Sequence, residues 1–364
     1  MKYRNNKKGR ISTGARSENR FISSDIVNDT QKSSIIIIAL VLSLAIITAV
    51  FFAVFAEDDF AAFNPHNNTG PIFSPNDPDS KPVFVATEGG KGMYQMDLSS
   101  KYAILVRLSD MTTIAHKYAD ERIYPASMTK VMTVITALDL IENLDDTYIL
   151  TEEVLKTVPS DASVASLLVY YQKGQTEVSI RDLLYGISYR SGADSVLCLL
   201  DYLGLSVEDF ATLMNNKAQE IGLKDSYFGG AIGMDTEENQ TTCRDVAAIM
   251  AYAMENKVAF DLFSGGRHQL DMVEGYSYYH ATIDNLLANM GTNGSTVLGL
   301  DYTLLAAKSG LEDKAGYCLV SYIRNDVTNE YFVLVTAGAD RSEDYPVNRE
   351  PILDMELIFD AFEP

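Results

Sequence analysis

The sequence contains few cysteines and histidines, the residues that most often form disulfides and bind metal ions. Its three cysteines, Cys198, Cys243 and Cys318, show no Cys-x-x-Cys spacing, so we expect no disulfide framework, no metal site and no cofactor. Cys198 and Cys318 lie in apolar runs and are predicted to be small buried hydrophobic residues. The four histidines have no accompanying Gly-x-Ser-x-Gly segment, which argues against a Ser-His-Asp hydrolase.

Positive charge is also scarce, with 29 Lys and Arg against 50 Asp and Glu and a formal net charge of −21. A nucleic-acid-binding protein needs a basic surface, so we expect no nucleic-acid partner. The charge is unevenly distributed: residues 1–32 carry +5, which leaves −26 for the remainder. A basic head and an acidic body suit a protein whose ends lie on opposite sides of a membrane.

An uncharged apolar segment of 22 residues, 35–56, follows the basic head. As a helix it would be roughly 33 Å long, enough to span a hydrocarbon core of about 30 Å. The flanking charges predict a cytoplasmic tail over residues 1–34 and a single-pass protein of the cell membrane with an extracytoplasmic body. A cleaved signal peptide is the alternative, because the segment ends in Val54-Phe55-Ala56, but the apolar run is longer than a signal-peptide core.

Beyond the apolar segment, a linker rich in Pro, Asn and Asp is predicted over residues 57–84, before a globular domain over 85–364. Strands are predicted over 101–108, 113–118, 304–308, 317–324 and 330–337. Helices are predicted over 179–186, 195–203, 207–221, 243–255 and 351–362, and residues 261–300 are left unassigned. Strands at both ends with helices between them indicate an α/β (α+β) fold, in which both ends of the domain build one antiparallel sheet around an inserted helical block.

The segment Tyr124-Pro125-Ala126-Ser127-Met128-Thr129-Lys130 leads from a turn into an apolar run that is predicted to be a buried helix. Residues three apart share a helix face, so the Lys130 amine can reach the Ser127 hydroxyl beside the free N–H groups of the helix N-terminus. Lysine can activate serine only as a neutral amine, so burial or a neighbouring cation must lower the pKa of Lys130. Ser-x-x-Lys alone is a weak motif.

Two further polar segments stand where side chains can meet the Ser127 helix. Ser191-Gly192-Ala193 lies between two predicted helices, and Lys308-Ser309-Gly310 follows the apolar run 304–307. Taken alone, the first is more typical of a helix cap. The second, taken alone, is more typical of a solvated lysine at the end of a strand.

Together the three segments resemble the ordered signature Ser-x-x-Lys, Ser-x-Asn, Lys-Thr/Ser-Gly of the penicillin-recognising serine acyltransferases. Flanking segments make residues 84–340 similar to the low-molecular-weight D-alanyl-D-alanine carboxypeptidases; they are 118–120, 183–186, 221–224, 242–245 and 315–320. The resemblance implies a β-lactamase or DD-peptidase-like fold. It also implies a serine-type enzyme that removes the terminal D-Ala of peptidoglycan stem peptides through an acyl-enzyme and is acylated by β-lactams.

The resemblance also implies a role for each residue of the three segments. Ser127 would be the nucleophile, Lys130 its base, and Ser191 the group that passes a proton to the leaving amine. Lys308 would supply the cation that lowers the pKa of Lys130, and a positive field for the substrate carboxylate.

The remaining implied substrate-binding residues are Ser309, Gly310 and Leu311. The Ser309 hydroxyl would bind the substrate carboxylate, where the family usually has Thr. Gly310 would allow close approach of the substrate. The backbone N–H groups of Ser127 and Leu311 would hold the oxyanion of the tetrahedral intermediate.

One position departs from the family pattern: Ala193 stands where an Asn side chain usually touches the substrate amide and the active-site lysine. This departure keeps two alternatives open. One is a β-lactamase-like hydrolase, although no Glu-x-x-Leu-Asn segment is evident. The other is a catalytically weak, membrane-tethered sensor that binds muropeptides or β-lactams. The family often carries a C-terminal anchor, which the N-terminal apolar helix would replace here.

Overall fold

In a computed structural model of the chain, the described residues are 84–158, 177–264, 267–270, 282–284, 296–298, 301–340 and 350–362. All of them lie in the second of the two compact units into which the chain divides, Met1–Asn64 and Pro65–Pro364. The predicted tail, the apolar segment 35–56 and the linker up to residue 83 lie outside the described residues. Within the described ranges, none of the helices has the length and apolarity needed to cross a membrane.

Strands from both ends of the domain form one seven-stranded sheet in the order β1-β3-β2-β11-β10-β9-β8. Its strands are β1 Lys91–Gly92, β2 Tyr102–Arg107, β3 Thr112–Lys117, β8 Thr296–Leu298, β9 Tyr302–Glu312, β10 Gly316–Asn325 and β11 Tyr331–Ala339. Every neighbouring pair is antiparallel except β1 with β3, which is parallel. The predicted sheet with an inserted helical block is therefore confirmed.

The other regular elements of the described chain are helices and two small two-stranded sheets. The helices are α1 Thr129–Leu138, α2 Glu152–Thr157, α3 Ile180–Tyr189, α4 Ala193–Leu203, α5 Val207–Ile221, α6 Cys243–Met254, α7 Lys257–Ser264 and α8 Glu350–Ala361. The small antiparallel sheets pair β4 Thr147–Ile149 with β5 Glu177–Ser179, and β6 Arg267–Gln269 with β7 Thr282–Asp284. The predicted helices lie within a few residues of the observed ones, whereas α7 extends into the segment that the sequence left unassigned.

Side-chain caps explain why several helices begin where they do. The hydroxyls of Ser179, Ser206 and Thr242 each accept the backbone N–H three residues later, at the starts of α3, α5 and α6. Such caps satisfy N–H groups that have no partner inside the helix. Gly204 and Gly222 end α4 and α5 in the left-handed conformation that glycine adopts without steric cost.

The sheet is covered on both faces, which is why its central strands are almost continuously buried. Phe332 and Leu334 of β11 pack with Met355 and Phe359 of α8 in one apolar cluster. Helix α6 contacts β2, β10 and β11 and has nearly every residue buried. The buried Asp354 of α8 accepts the N–H groups of residues 99 and 100, which fixes the helix against the chain before β2.

One local interpretation of the sequence is wrong. Lys308 is not a solvated residue at a strand end, because β9 continues to Glu312 and Lys308 is 3% exposed. The polar residues Lys308 and Ser309 interrupt the apolar pattern of the strand, so the pattern predicted an end at Lys308 where the backbone pairing continues.

Candidate active site

The backbone around Ser127 forms a tight turn that leads directly into α1. Ala126–Met128 is a short 3-10 helix, referred to here as the Ser127 turn, and α1 begins at Thr129. Ala126 has φ +46°, a left-handed conformation that non-glycine residues rarely adopt and that is often found at functional sites. The prediction that a helix begins near Ser127 is confirmed, and Lys130 lies in its first turn.

Lys130 is buried and lies against the Ser127 hydroxyl. Its Nζ is 3.0 Å from Ser127 Oγ and donates to the backbone carbonyl of Ile232 at 2.5 Å. Burial lowers the pKa of Lys130 to about 7, against the opposing charges of Glu312 and Asp194. A substantial fraction of the amine is therefore neutral near pH 7, as a base for serine must be.

The second pair of candidate residues joins β9 to the loop between α3 and α4. Lys308 Nζ donates to Ser191 Oγ at 3.1 Å and to the Ser309 carbonyl at 2.7 Å. Burial and the charge of Lys130 hold the pKa of Lys308 well below its usual value. The helix-cap alternative for this segment applies to Gly192, which is the N-cap residue of α4, whereas the Ser191 side chain contacts Lys308.

Strand β9 lies directly against the Ser127 turn at Gly310. A Cβ atom on Gly310 would lie 2.9 Å from Ala126 Cβ and 3.0 Å from the Ser127 nitrogen, so only glycine permits this approach. Side chains alternate along a strand, so Lys308 faces the same side as the missing Gly310 side chain. Ser309 and Leu311, both partly exposed, occupy the alternate positions.

One edge of β9 near the Ser127 turn has no partner strand among the described residues. β10 pairs along β9 as far as Glu312, whereas on the other edge β8 pairs only with Tyr302–Leu304. No described strand pairs with that second edge beyond Leu304. Strand edges without a partner strand can bind extended peptides through main-chain hydrogen bonds.

The segment 229–240 also shapes the site, and the sequence reasoning missed it. The Ile232 carbonyl accepts from Lys130, and the Ala231 carbonyl accepts from the Thr133 hydroxyl at 2.7 Å. Gly233 has φ +88°, and a Cβ atom there would collide with the Ala126 carbonyl. Glycines at 229, 230 and 233 were the available signal, since such residues often mark close backbone contacts.

The position that departs from the family pattern is buried, and a carboxylate follows it. Ala193 and Asp194 are each 1% exposed at the start of α4, and Asp194 Oδ1 accepts the Ser195 N–H at 2.7 Å. The Asp194 charge raises the pKa of Lys130 and so opposes the effect of burial. In the part of the chain that the structure describes, no three His, Cys, Asp or Glu residues are grouped to hold a metal ion.

Comparisons with known proteins agree with this geometry. Residues 90–340 match the family model described as D-alanyl-D-alanine carboxypeptidase. The D-alanyl-D-alanine carboxypeptidase DacF of Bacillus subtilis (strain 168) is 26% identical over 273 residues, which is 75% of this chain and 66% of the relative. The chain spans about a third to two thirds of the length of the curated Bacillus subtilis and Escherichia coli relatives that it matches first.

Solved structures share the fold. The Streptomyces K15 DD-transpeptidase superposes with a TM-score of 0.61 at 21% identity, covering 73% of this chain and 98% of that one. Penicillin-binding protein D2 from Listeria monocytogenes, in its cefotaxime-bound form, superposes with a TM-score of 0.58 at 20% identity, covering 73% and 98%. These similarities confirm the DD-peptidase-like fold that the motifs implied.

Proposed function

The chain belongs to the D-alanyl-D-alanine carboxypeptidase family, and we propose that it is a serine-type D-Ala-D-Ala carboxypeptidase that removes the terminal D-Ala of peptidoglycan stem peptides. The observation that carries this proposal is the 3.0 Å approach of the buried Lys130 amine to the Ser127 hydroxyl. With a pKa of about 7, the amine can accept the serine proton.

Acylation follows from this geometry. Neutral Lys130 takes the proton as Ser127 Oγ bonds to the carbonyl carbon of the penultimate D-Ala. The N–H groups of Ser127 and Leu311 hold the resulting oxyanion. As the C–N bond breaks, Ser191 donates its hydroxyl proton to the leaving amine and takes up the proton held by Lys130, so the net transfer is from Ser127 to free D-Ala and Lys130 is neutral again. Water then attacks the ester and restores the serine.

Substrate orientation comes from β9. The free carboxylate of the terminal D-Ala binds at Lys308 and Ser309, while the peptide extends along the open strand edge past Gly310. A β-lactam presents a carboxylate and a strained amide with the same spacing. Its ring amide would therefore open onto Ser127, in line with the drug-bound form of the Listeria protein.

The test is incubation of the protein with a labelled penicillin, followed by mass analysis, alongside a D-Ala release assay on a D-Ala-D-Ala peptide. We expect one covalent adduct, its absence in Ser127→Ala, and release of D-Ala by the unmodified chain. An adduct that persists in Ser127→Ala would overturn the assignment.

The same assays separate the two alternatives. Fast penicillin turnover would indicate the β-lactamase-like hydrolase. An adduct without D-Ala release would indicate the muropeptide- or β-lactam-binding sensor, the candidate favoured by the apolar side chain at Ala193.

We also propose that residues 35–56 anchor the chain in the cell membrane, with residues 1–34 in the cytoplasm and the catalytic domain outside. Trimming stem peptides there would link the enzyme to peptidoglycan biosynthesis and cell shape. The support is the uncharged run with basic residues before it and acidic residues after it. Membrane fractionation should find the full chain in the membrane. Release into the soluble fraction, or a matured N-terminus near Glu57, would contradict the anchor.

A further inference from the structure

A cavity of about 390 Å³ opens at the end of the sheet where β9 turns into β10. It is separate from the Ser127–Lys130 and Ser191–Lys308 pairs, none of which lines it. Its walls come from four places: the start of β2, the segment before the Ser127 turn, the β9–β10 turn and the end of β11. The charged and aromatic lining residues are Lys101, Tyr102, Arg122, Tyr124, Asp313, Lys314 and Asp340. We call it the basic cavity.

The basic cavity opposes the charge of the rest of the domain. Three cationic side chains, Lys101, Arg122 and Lys314, line it beside two carboxylates, in a domain that is otherwise strongly acidic. Lys101 pairs with Asp340 at 2.8 Å. Arg122 is exposed and makes no hydrogen bond or ion pair with any residue in the described ranges, so its guanidinium is free to bind an anion.

One wall of the cavity is held in place before any ligand arrives. The Lys314 Nζ lies 4.9 Å from the centre of the Tyr124 ring and 3.1 Å from Glu237 Oε1. Asp235 accepts the backbone N–H of Lys314 at 2.5 Å, which fixes the β9–β10 turn. Such preorganisation reduces the entropy lost when a ligand binds.

The cavity is also close to the active site along the chain. Tyr124 precedes Ser127 by three residues, so their Cα atoms are at most about 11 Å apart. The segment that forms one wall of the cavity therefore leads directly into the Ser127 turn.

A pair of exposed aromatic rings is connected to the Arg122 wall of the cavity through a turn. Tyr94 and Tyr118 are 49% and 48% exposed, and their rings meet edge to face at 5.2 Å. Tyr118 is connected to Arg122 by a turn in which the Glu121 N–H donates to the Tyr118 carbonyl. Exposed aromatic faces mark interaction surfaces, and the C–H face of a sugar ring packs well on them.

We propose that the basic cavity is a second binding site, distinct from Lys308 and Ser309, that holds a carboxylate of an acidic muropeptide while its sugar rings pack on Tyr94 and Tyr118. The choice of a muropeptide rests on the proposed function. A carboxylate fits better than a phosphate, because Asp313 and Asp340 in the lining repel a dianion more strongly than a monoanion. The planar Arg122 guanidinium can pair with a carboxylate through two hydrogen bonds.

The test uses the full chain carrying Ser127→Ala, so that binding is measured without turnover. The probe is a disaccharide tripeptide, which lacks D-Ala-D-Ala, and its matched control is the same molecule with its carboxylates converted to carboxamides. We expect titration calorimetry to show binding of the acid, with affinity reduced about tenfold for the amide and about tenfold by Arg122→Gln. Lys257→Gln, which removes an exposed cation elsewhere, should leave binding unchanged.

Three results would overturn the site: no binding of the acid, equal binding of acid and amide, or equal losses from Arg122→Gln and Lys257→Gln. Inorganic phosphate is the remaining probe, and binding of phosphate tighter than that of the acid would also contradict the carboxylate assignment. D-Ala release by the unmodified chain is measured separately. Failure of the carboxypeptidase proposal and failure of this site are therefore different observations.

Discussion

Three lysines are buried in the described part of the chain, and for two of them, Lys130 and Lys217, the surroundings push the pKa values in opposite directions. Lys217 of α5 is 7% exposed, and its Nζ lies 2.6 Å from Asp139 and 2.8 Å from Glu220. Burial alone would lower its pKa, but the hydrogen bonds to these carboxylates raise the pKa above its usual value. Lys130 is 1% exposed and bonds to a hydroxyl and a carbonyl instead.

Burial lowers the pKa of Lys130 because no carboxylate is hydrogen-bonded to its amine. The two carboxylates bonded to Lys217 outweigh burial and raise the pKa of that lysine. Neither hydrogen bond of Lys130 goes to a carboxylate, and the positive pole at the start of α1 further disfavours the ammonium form. The Lys217 cluster is instead a structural ion pair that joins α5 to the end of α1. The two sites should therefore respond oppositely to the same substitution.

The largest effect on the rate of acylation is expected from Lys130→Met, which keeps the length of the side chain and removes the base. The rate of acylation by a labelled penicillin should fall by about 10³-fold or more, because Ser127 loses its proton acceptor. Lys217→Met is the matched variant. It should acylate at nearly the normal rate, while its free energy of unfolding falls by about 1–2 kcal/mol, because two carboxylates lose their partner.

Stopped-flow acylation and urea unfolding measure these two quantities on the same preparations. The distinction between a catalytic Lys130 and a structural Lys217 would be contradicted if Lys217→Met slowed acylation as strongly as Lys130→Met does, or if Lys130→Met acylated at the normal rate.

The next effect concerns Lys308, the other lysine near Ser127. Lys308→Ala should reduce kcat/KM for a carboxylate-bearing peptide by about 10²-fold, since the amine that contacts Ser191 and would donate to the substrate carboxylate disappears. Ser309→Thr keeps a hydroxyl and should change kcat/KM by no more than about threefold. Equal losses in the two variants would contradict the anion-binding role of Lys308.

Much of this arrangement could be predicted from the sequence because its signals are local. The Ser127–Lys130 spacing fixes one helix face, and the sheet follows from apolar strands at both ends of the domain. The glycines of segment 229–240 indicate a close backbone contact, but they do not identify Lys130 as the partner, because that contact joins a backbone carbonyl to Lys130 across about a hundred residues. The extent of β9 past Lys308 was missed for a related reason: pairing with β10, rather than side-chain alternation, maintains that strand.

The role of Lys308 also needed the structure. The sequence led us to expect that its charge lowers the pKa of Lys130, whereas burial is the main cause. The charge of Lys130 in turn lowers the pKa of Lys308, so protonation of one amine disfavours protonation of the other.

A smaller effect on penicillin acylation is expected when a carboxylate, the kind of partner that Lys217 has, is introduced for Lys130. Ala193→Asp should raise the pKa of Lys130 and slow penicillin acylation about tenfold near pH 6, because less of the amine is neutral. Ala193→Asn has the same shape without the charge and should acylate at least as fast as the unmodified chain. Thermal unfolding of both variants checks that the buried position accepts the larger side chain. Equal rates for Asp and Asn would contradict an electrostatic effect on Lys130.

The most direct test of the central claim is the pH dependence of penicillin acylation, measured from about pH 5 to about pH 9. Because the base is the neutral amine and its pKa is lowered to about 7, the rate should rise about tenfold per pH unit below that value and level off above it. Lys217→Met should show the same midpoint. A rate that does not change with pH, or one that still rises steeply near pH 9 as for an ordinary lysine, would contradict the assignment of Lys130 as the base.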